Sequence, residues 1–270
     1  MTRLVPTAEF ASVVYGAGGP PGCDPAEDYH EASRLYPNVA PGRLATLLAL
    51  ARSAEFQQTA ARASRTHEHR PGIELPRTPL PRTKLRDALA SRRSLAAAER
   101  RPLPLHDLAA VLHAAYGTRE REPGLHRRPV PSGGALYPLE LYVLALAVDG
   151  VSPAALHYNP FRHRLELLGR FAPADAAAAV VDPAIVERAA VLVVVTAMFW
   201  RSRFKYGARG YRFALLEAGH VVQNVVLAAA ALRLRALPLG GFYDRRLDAL
   251  VRVDGLDEAS VYAVALGGRP

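Results

Sequence analysis

Cysteine is almost missing from this chain. Cys23 is the single one in 270 residues, so an internal disulfide and any multi-cysteine metal site are excluded, and a reducing, cytoplasmic setting is expected. The N-terminal stretch MTRLVPTAEFASVVYG has no basic segment leading into a long apolar run and no small-residue cleavage site, so no secretion signal is expected. The patterns G-x-x-x-x-G-K-[ST], G-x-G-x-x-G and G-x-S-x-G are all absent, which removes a P-loop, a dinucleotide-binding turn and a nucleophile elbow at Ser132. His67 and His69 flank a single residue in a loop with no third ligand nearby, so no metal site is expected. Lysine is scarce as well. The formal charge of +9 is carried by arginine far more than by lysine, and those arginines are spread over every segment. Such scatter speaks for compositional bias and against a nucleic-acid-binding stripe.

What is present is apolar and patterned. Half of the residues are hydrophobic, enough for one large or two small domains with a sizeable core. The longest helical pattern runs from about Ala208 to Leu232, with no proline and only two glycines, and would span roughly 37 Å. Its apolar residues point all round the wheel, which predicts burial on most sides. Glu217, His220, Gln223 and Asn224 interrupt it with a narrow polar seam that is costly in lipid, so no membrane span is expected. Such a seam meets another helix, a cofactor or a second subunit.

In chain order, residues 1–40 read as an extended arm containing GAGGPPG, followed by a helix from about Gly42 to Arg65 and a proline-rich connector, THEHRPGIELPRTPLP. Helices are predicted over Lys84–Ala90, Leu105–Tyr116 and Pro173–Val180. Strands are predicted over Leu139–Val148, in a hairpin of Ala155–Tyr158 with Arg164–Leu168, over Ala189–Phe199, and in the last two apolar segments around LRALPL and SVYAVALGG. Arg92, Arg93 and Ser94 set two guanidinium forks and a hydroxyl in three residues, suited to an oxyanion or simply to a solvated loop. Ser132, Gly133 and Gly134 allow either close backbone approach to a flat ligand or an ordinary turn.

Three separated pieces, RRS at Arg92–Ser94, PSGGALYPLELYV at Pro131–Val143 and KYGARGYRFALLEAGHVVQN at Lys205–Asn224, together resemble the nitroreductase-like flavoenzymes, and more narrowly the SagB-type dehydrogenases, the azoline oxidases of thiazole and oxazole peptide biosynthesis. EDYHEASRLYP, IELP, PLGGF and ALGGRP extend the likeness over most of the chain. The resemblance implies an α+β fold, a mixed or antiparallel sheet flanked by helices around a long central helix, in an intertwined homodimer with FMN at the subunit interface. It implies an N-terminal arm and helical extension over 1–80 and an FMN-binding domain over 81–270. It assigns Arg92, Arg93 and Ser94 to phosphate and ribityl contacts, and Pro131, Ser132, Gly133 and Gly134 to the loop along the isoalloxazine. Asn224 falls in the seam near the flavin, Gly240 and Gly241 near flavin N5, and Arg269 at the phosphate. Where nitroreductases often carry a second cation after this serine the chain has Ala96, with Arg100, Arg101 or Arg269 as substitutes.

Lys205 and Tyr206 match the pair that azoline oxidases use for catalysis. A lysine acts as a base only after losing its proton, which desolvation or crowding by positive charge favours, and Arg201, Arg203 and Arg209 lie close in sequence. The implied reaction is oxidation of a peptide thiazoline or oxazoline to the azole, with a cyclodehydratase as upstream partner. Two other outcomes are an NAD(P)H-dependent nitro- or quinone reductase and a flavin-free scaffold subunit of a peptide-modifying complex.

Overall fold

The structure, a computed structural model, describes residues 24–36, 49, 52–61, 63–95, 100–122 and 125–269. Cys23, Ala96, the GAGGPPG segment and the first part of the helix expected from Gly42 lie outside the described residues.

The sequence's most apolar run becomes the middle of a seven-stranded sheet. Its strands are β1 (Gly72–Glu74), β4 (Leu139–Ala145), β5 (Ala154–Asn159), β6 (Arg164–Gly169), β7 (Val191–Met198), β8 (Arg235–Leu239) and β9 (Glu258–Gly267), in the spatial order β1-β6-β5-β4-β7-β9-β8. Every neighbouring pair is antiparallel, with Tyr142 opposite both His157 and Val194 at the centre. A separate ribbon, β2 (Arg119–Glu122) with β3 (Leu125–Arg127), stands outside the sheet.

Layers of helix cover both faces, which is why all of β4 is buried although its sequence alternates. One face carries Leu139, Leu141, Val193 and Val195 against α4 (Leu105–Tyr116) and α8 (Ala208–Ala231), through Leu108, Leu112, Val221 and Val225. The other carries Leu144, Leu192 and Val194 against α5 (Pro173–Ala178), α6 (Pro183–Arg188) and α9 (Asp244–Val251). Each fully buried Leu or Val contributes about 1.5–3 kcal/mol, so this two-sided core dominates the fold's stability. The remaining helices are α1 (Pro25–Ala32), α2 (Ala54–Ala61), α3 (Leu85–Ser91) and α7 (Trp200–Tyr206).

Several expectations need correction. Residues 25–32 of the expected extended arm are helical: Asp24 caps Ala26 N, and Arg212 of α8 donates to the Ser33 hydroxyl at 2.7 Å and the His30 carbonyl at 2.7 Å. Residues 72–74, read as connector, are an edge strand paired to β6. The chain leaves one side of α8 bare, with Leu215 and Leu216 41% and 63% exposed and Gly219, His220 and Gln223 beside them. The small side chains Ala214, Ala218 and Ala229 all turn to the core instead, so burial is one-sided. Among the described residues α8 is the one helix long and apolar enough to cross a membrane; here it lies against α4, β8 and β9.

Candidate active site

α7 starts where β7 runs out, and two contacts fix its direction. The Arg201 guanidinium donates to Glu140 Oε1 at 2.6 Å and to the Tyr137 carbonyl at 3.4 Å. At its far end Gly207 takes φ +57° and ψ −139°, a conformation that side chains oppose, and the chain turns there into α8. The turn leaves Lys205 5% exposed and Tyr206 half-buried.

What covers them is the loop Pro131–Pro138. The Ser132 hydroxyl accepts from Tyr137 N at 3.0 Å and the Ser132 carbonyl from Ala135 N at 3.0 Å, winding Gly133–Ala135 into one tight turn. Gly134, Ala135 and Tyr137 all have positive φ, which glycine adopts freely but which strains Ala135 and Tyr137 in the way found at functional sites. A Cβ on Gly134 would lie 2.6 Å from the Tyr206 hydroxyl and 2.9 Å from Lys205 Nζ, so the pair sits directly on this backbone. Phe213 closes the side, meeting Gly133 and standing edge-on to Tyr206 at 5.0 Å. Lys205 Nζ lies 5.3 Å from the Tyr206 ring centre and 5.7 Å from that of Phe56, and it has no ion pair among the described residues. Ser132, Gly133, Gly134, Lys205 and Tyr206 thus form one cluster.

The three arginines expected to crowd Lys205 are engaged elsewhere. Arg201 is neutralised by Glu140, Arg203 stacks 4.9 Å from the Trp200 ring centre, and Arg209 donates to the Ser33 carbonyl.

Beneath the loop, Glu217 projects from α8 at 3% exposure. Tyr116 of α4 donates to its Oε1 at 2.8 Å, and the Ser132 hydroxyl adjoins the same carboxyl. Burial pushes the Glu217 pKa up to about 7, with Ser132, Tyr116 and Arg128 pulling it only part of the way back. Arg128 lies 4.0 Å from the Tyr116 ring centre and donates to the Ala63 carbonyl, while its Nε and Nη1 have no hydrogen-bond partner among the described residues. Of the polar seam on α8, Glu217 is buried, Asn224 is half-buried and makes no side-chain hydrogen bond among the described residues, and His220 and Gln223 face outward.

A second buried polar system, on the sheet's other face, was not foreseen. His157 lies between Glu140, at 3.0 Å, and Glu166, at 3.2 Å, all three at most 1% exposed. Burial opposes charge on His157, but the two hydrogen-bonded carboxylates prevail and hold its pKa at about 9. Glu140 and Glu166 are in turn held down to about 2 in spite of burial, Glu140 by Arg201 and His157, Glu166 by His157, Asn159 and the His67 amide. The same carboxylates accept from Arg65 N at 2.7 Å and His67 N at 2.7 Å, docking residues 63–67 on the sheet. Arg65 also pairs with buried Glu258, which accepts from Tyr142 and Thr196. The signal was available in part: polar residues at 140, 157 and 166 interrupt otherwise apolar strands.

The other expected site residues are strung along β8 and the C-terminus, Arg92–Ser94 and Arg269 near the strand's start and Gly240 and Gly241 at its end. Arg92, Arg93 and Ser94 are exposed, and the Arg93 carbonyl accepts from Ala236 N of β8. Gly240 and Gly241 end that strand, Gly240 with open space where a Cβ would stand. Arg269 donates to both oxygens of buried Asp107, at 3.0 and 3.2 Å, and its carbonyl accepts from Arg101. No hydrogen bond or ion pair among the described residues joins this group to the Lys205 cluster.

Residues 89–268 match the profile of the Nitroreductase family. The chain belongs to that family. Among curated proteins it is 36% identical over 171 residues to MJ1384 of Methanocaldococcus jannaschii, named as a nitroreductase, covering 63% of this chain and 85% of that protein. It is also 29% identical over 162 residues to the Escherichia coli microcin B17-processing protein McbC, covering 58% of this chain and 59% of McbC. Among solved structures, the E. coli microcin synthetase McbBCD complex with truncated pro-MccB17 bound shares the fold, with TM-score 0.58, 20% identity and 92% of this chain covered against 99% of that one.

The nitroreductase fold accounts for the antiparallel sheet and the long helix, and the residues present fit a phosphate-bearing flavin. Arg92, Arg93 and Arg101 have no carboxylate partner among the described residues; Nη1 of Arg93 and of Arg101 donates to backbone carbonyls, which leaves the other guanidinium donors for a dianion. Arg269 is 54% exposed even while paired to Asp107.

Proposed function

We propose that this nitroreductase-family chain is an FMN-dependent dehydrogenase that oxidises peptide thiazolines or oxazolines to azoles. The observation that carries it is the packing of Lys205 and Tyr206 against the strained Gly133–Gly134 turn, in a family member similar to a microcin-processing protein. FMN, when bound, would supply the hydride acceptor. Arg92, Arg93, Ser94 and Arg269 would hold its phosphate and ribityl chain, Gly240 and Gly241 its N5 edge, and Asn224 with Pro131, Ser132, Gly133 and Gly134 its ring. Lys205, once neutral, takes the ring Cα proton at Nζ, with the Tyr206 hydroxyl beside it. The adjacent carbon gives up its hydrogen as hydride, and the two broken C–H bonds are replaced by one C=C bond of the azole.

The two residue groups are unconnected within one chain, and the bare strip of α8 around Leu215 and Leu216 is apolar. Both features support a homodimer in which each flavin is held by Arg92–Ser94 of one subunit and Ser132–Gly134 of the other. In this reading residues 81–270 are the flavin-binding core and 1–80 an arm docked on it. The working setting is cytoplasmic, beside a cyclodehydratase that supplies the azoline peptide.

Lys205→Ala and Tyr206→Phe enzymes are expected to retain yellow FMN absorbance and to lose azole formation, read as the dehydrogenation mass change of a cyclised peptide. Wild-type turnover in both would overturn the assignment, and rapid bleaching of the flavin by NAD(P)H alone would redirect it to a nitro- or quinone reductase.

A further inference from the structure

Glu217 has no part in the reaction as written, yet it is a buried acid under the loop that covers Lys205. Its carboxyl accepts from the Tyr116 hydroxyl at 2.8 Å, and the Ser132 hydroxyl stands beside it from a second element. Tyr116 is itself fixed, accepting from Leu139 N at 3.3 Å where β4 begins. Ser132 opens the Gly133–Ala135 turn and accepts from Tyr137 N where the turn closes. Both ends of a loop with three positive-φ residues are therefore tied, through Ser132 and Tyr116, to one carboxyl on α8. The facing groups are Tyr116 from α4 and Arg128, with Glu140 acting on Tyr116 from the sheet.

We propose that Glu217 is a positioning residue for Lys205 and Tyr206: its carboxyl holds Ser132, and thereby presses the Gly133–Gly134 backbone against the pair and keeps Lys205 covered. This rests on the proposed function for its effect on catalysis, but the covering of Lys205 stands apart from it. Burying a carboxyl without a paired cation is costly, and such a group persists where its hydrogen bonds fix a geometry. An amide at the same position can make equivalent hydrogen bonds; an alkyl side chain cannot.

The sequence provides an internal gauge, because the chain has two lysines, Lys84 and Lys205. Lys84 is exposed and Lys205 is buried. Trace acetylation with acetic anhydride, read by peptide mass on the full chain, gives a Lys205-to-Lys84 labelling ratio that needs neither flavin nor substrate. Glu217→Leu is expected to raise that ratio about tenfold and to lower kcat for azole formation about tenfold with KM for the peptide little changed, the scale of one lost buried hydrogen bond. Glu217→Gln should restore both to within about threefold of wild type. Ser132→Ala, which leaves the helix core intact, should reproduce the labelling of Glu217→Leu even where that variant folds poorly. An unchanged labelling ratio in Ser132→Ala and Glu217→Leu would overturn the proposal. If the wild-type protein makes no azole, the functional reading fails while the labelling result still decides the role of Glu217.

Discussion

Glu140 and Glu217 are sealed from water to the same degree, at 1% and 3% exposure, and they behave in opposite ways. Glu140 faces Arg201 and a histidinium and is held down to about 2; Glu217 has the Tyr116 and Ser132 hydroxyls and no ion pair among the described residues, and burial pushes it up to about 7. Depth therefore does not set the charge state; the partner does. The difference separates two jobs. The Glu140–His157–Glu166 system is a clamp that fixes the first turn of α7 and the incoming residues 63–67. The Glu217 pocket holds a carboxyl that can exchange its proton near neutrality, directly under the loop that covers Lys205.

The largest expected effect falls on the clamp. His157→Leu removes the cation shared by Glu140 and Glu166 and leaves two buried carboxylates short of a partner, which should cost about 3–5 kcal/mol in urea unfolding. Glu217→Gln, equally buried, should cost about 1 kcal/mol or less. Equal losses in the two variants would erase the distinction between clamp and pocket.

The second test separates the two regions by pH. The Glu217 pKa is raised from 4.5 to about 7, so the folded state binds its proton more tightly; that stabilisation is full below pH 4.5 and lost as the pH rises to about 7. His157 is raised from 6.5 to about 9, and its contribution is full below 6.5 and lost by about 9. Glu140 and Glu166 are lowered from 4.5 to about 2, so theirs is present above 4.5 and lost as the pH falls to about 2. Urea midpoints should decline in two stages above pH 4.5, the lower stage amounting to about 1–3 kcal/mol. Glu217→Gln should flatten the stage between 4.5 and 7 and leave the one between 6.5 and 9. A lower stage that persists in Glu217→Gln would mean that this carboxyl is not its source.

The ease of reading these regions from sequence differs for the same physical reason. Strand β7 and helix α4 were legible because apolar residues report burial directly, and their observed bounds match to within two residues. Helix α8 was legible in length but not in burial, since Leu215 and Leu216 look like core residues until the turn at Gly207 and the stack on α4 set which side faces in. Lys205, Tyr206 and the Ser132–Gly134 turn were picked out by motif, and their packing explains why glycine stands at 134. The clamp was missed because its members come from residues 65, 140, 157, 166, 201 and 258, each an unremarkable polar residue until antiparallel pairing sets Glu166 opposite His157 and Glu140 two residues along β4 from its other partner, Tyr142. Helix α6 was missed although Asp182 followed by Pro183 is a recognisable start, with Asp182 capping Ala184 N at 3.1 Å.

A local change in the turn tests whether clamp and pocket converge on the same two residues. α7 is held at its start by Arg201 on Glu140 and at its end by the pair lying on Gly134. In Gly134→Ala a side chain must adopt φ +67°, at about 1–2 kcal/mol, and its Cβ would fall 2.6 Å from the Tyr206 hydroxyl and 2.9 Å from Lys205 Nζ. The clamp is untouched, so the start of α7 should stay in place and only its end should shift. The variant should therefore lose only the cost of that strain, about 1–2 kcal/mol in urea unfolding, and keep the FMN absorbance of the proposed holoenzyme, while Lys205 gains acetylation relative to Lys84 and azole formation drops. Normal turnover in Gly134→Ala would show that α7 is positioned by the clamp alone, and that the strained turn over Lys205 and Tyr206 is dispensable.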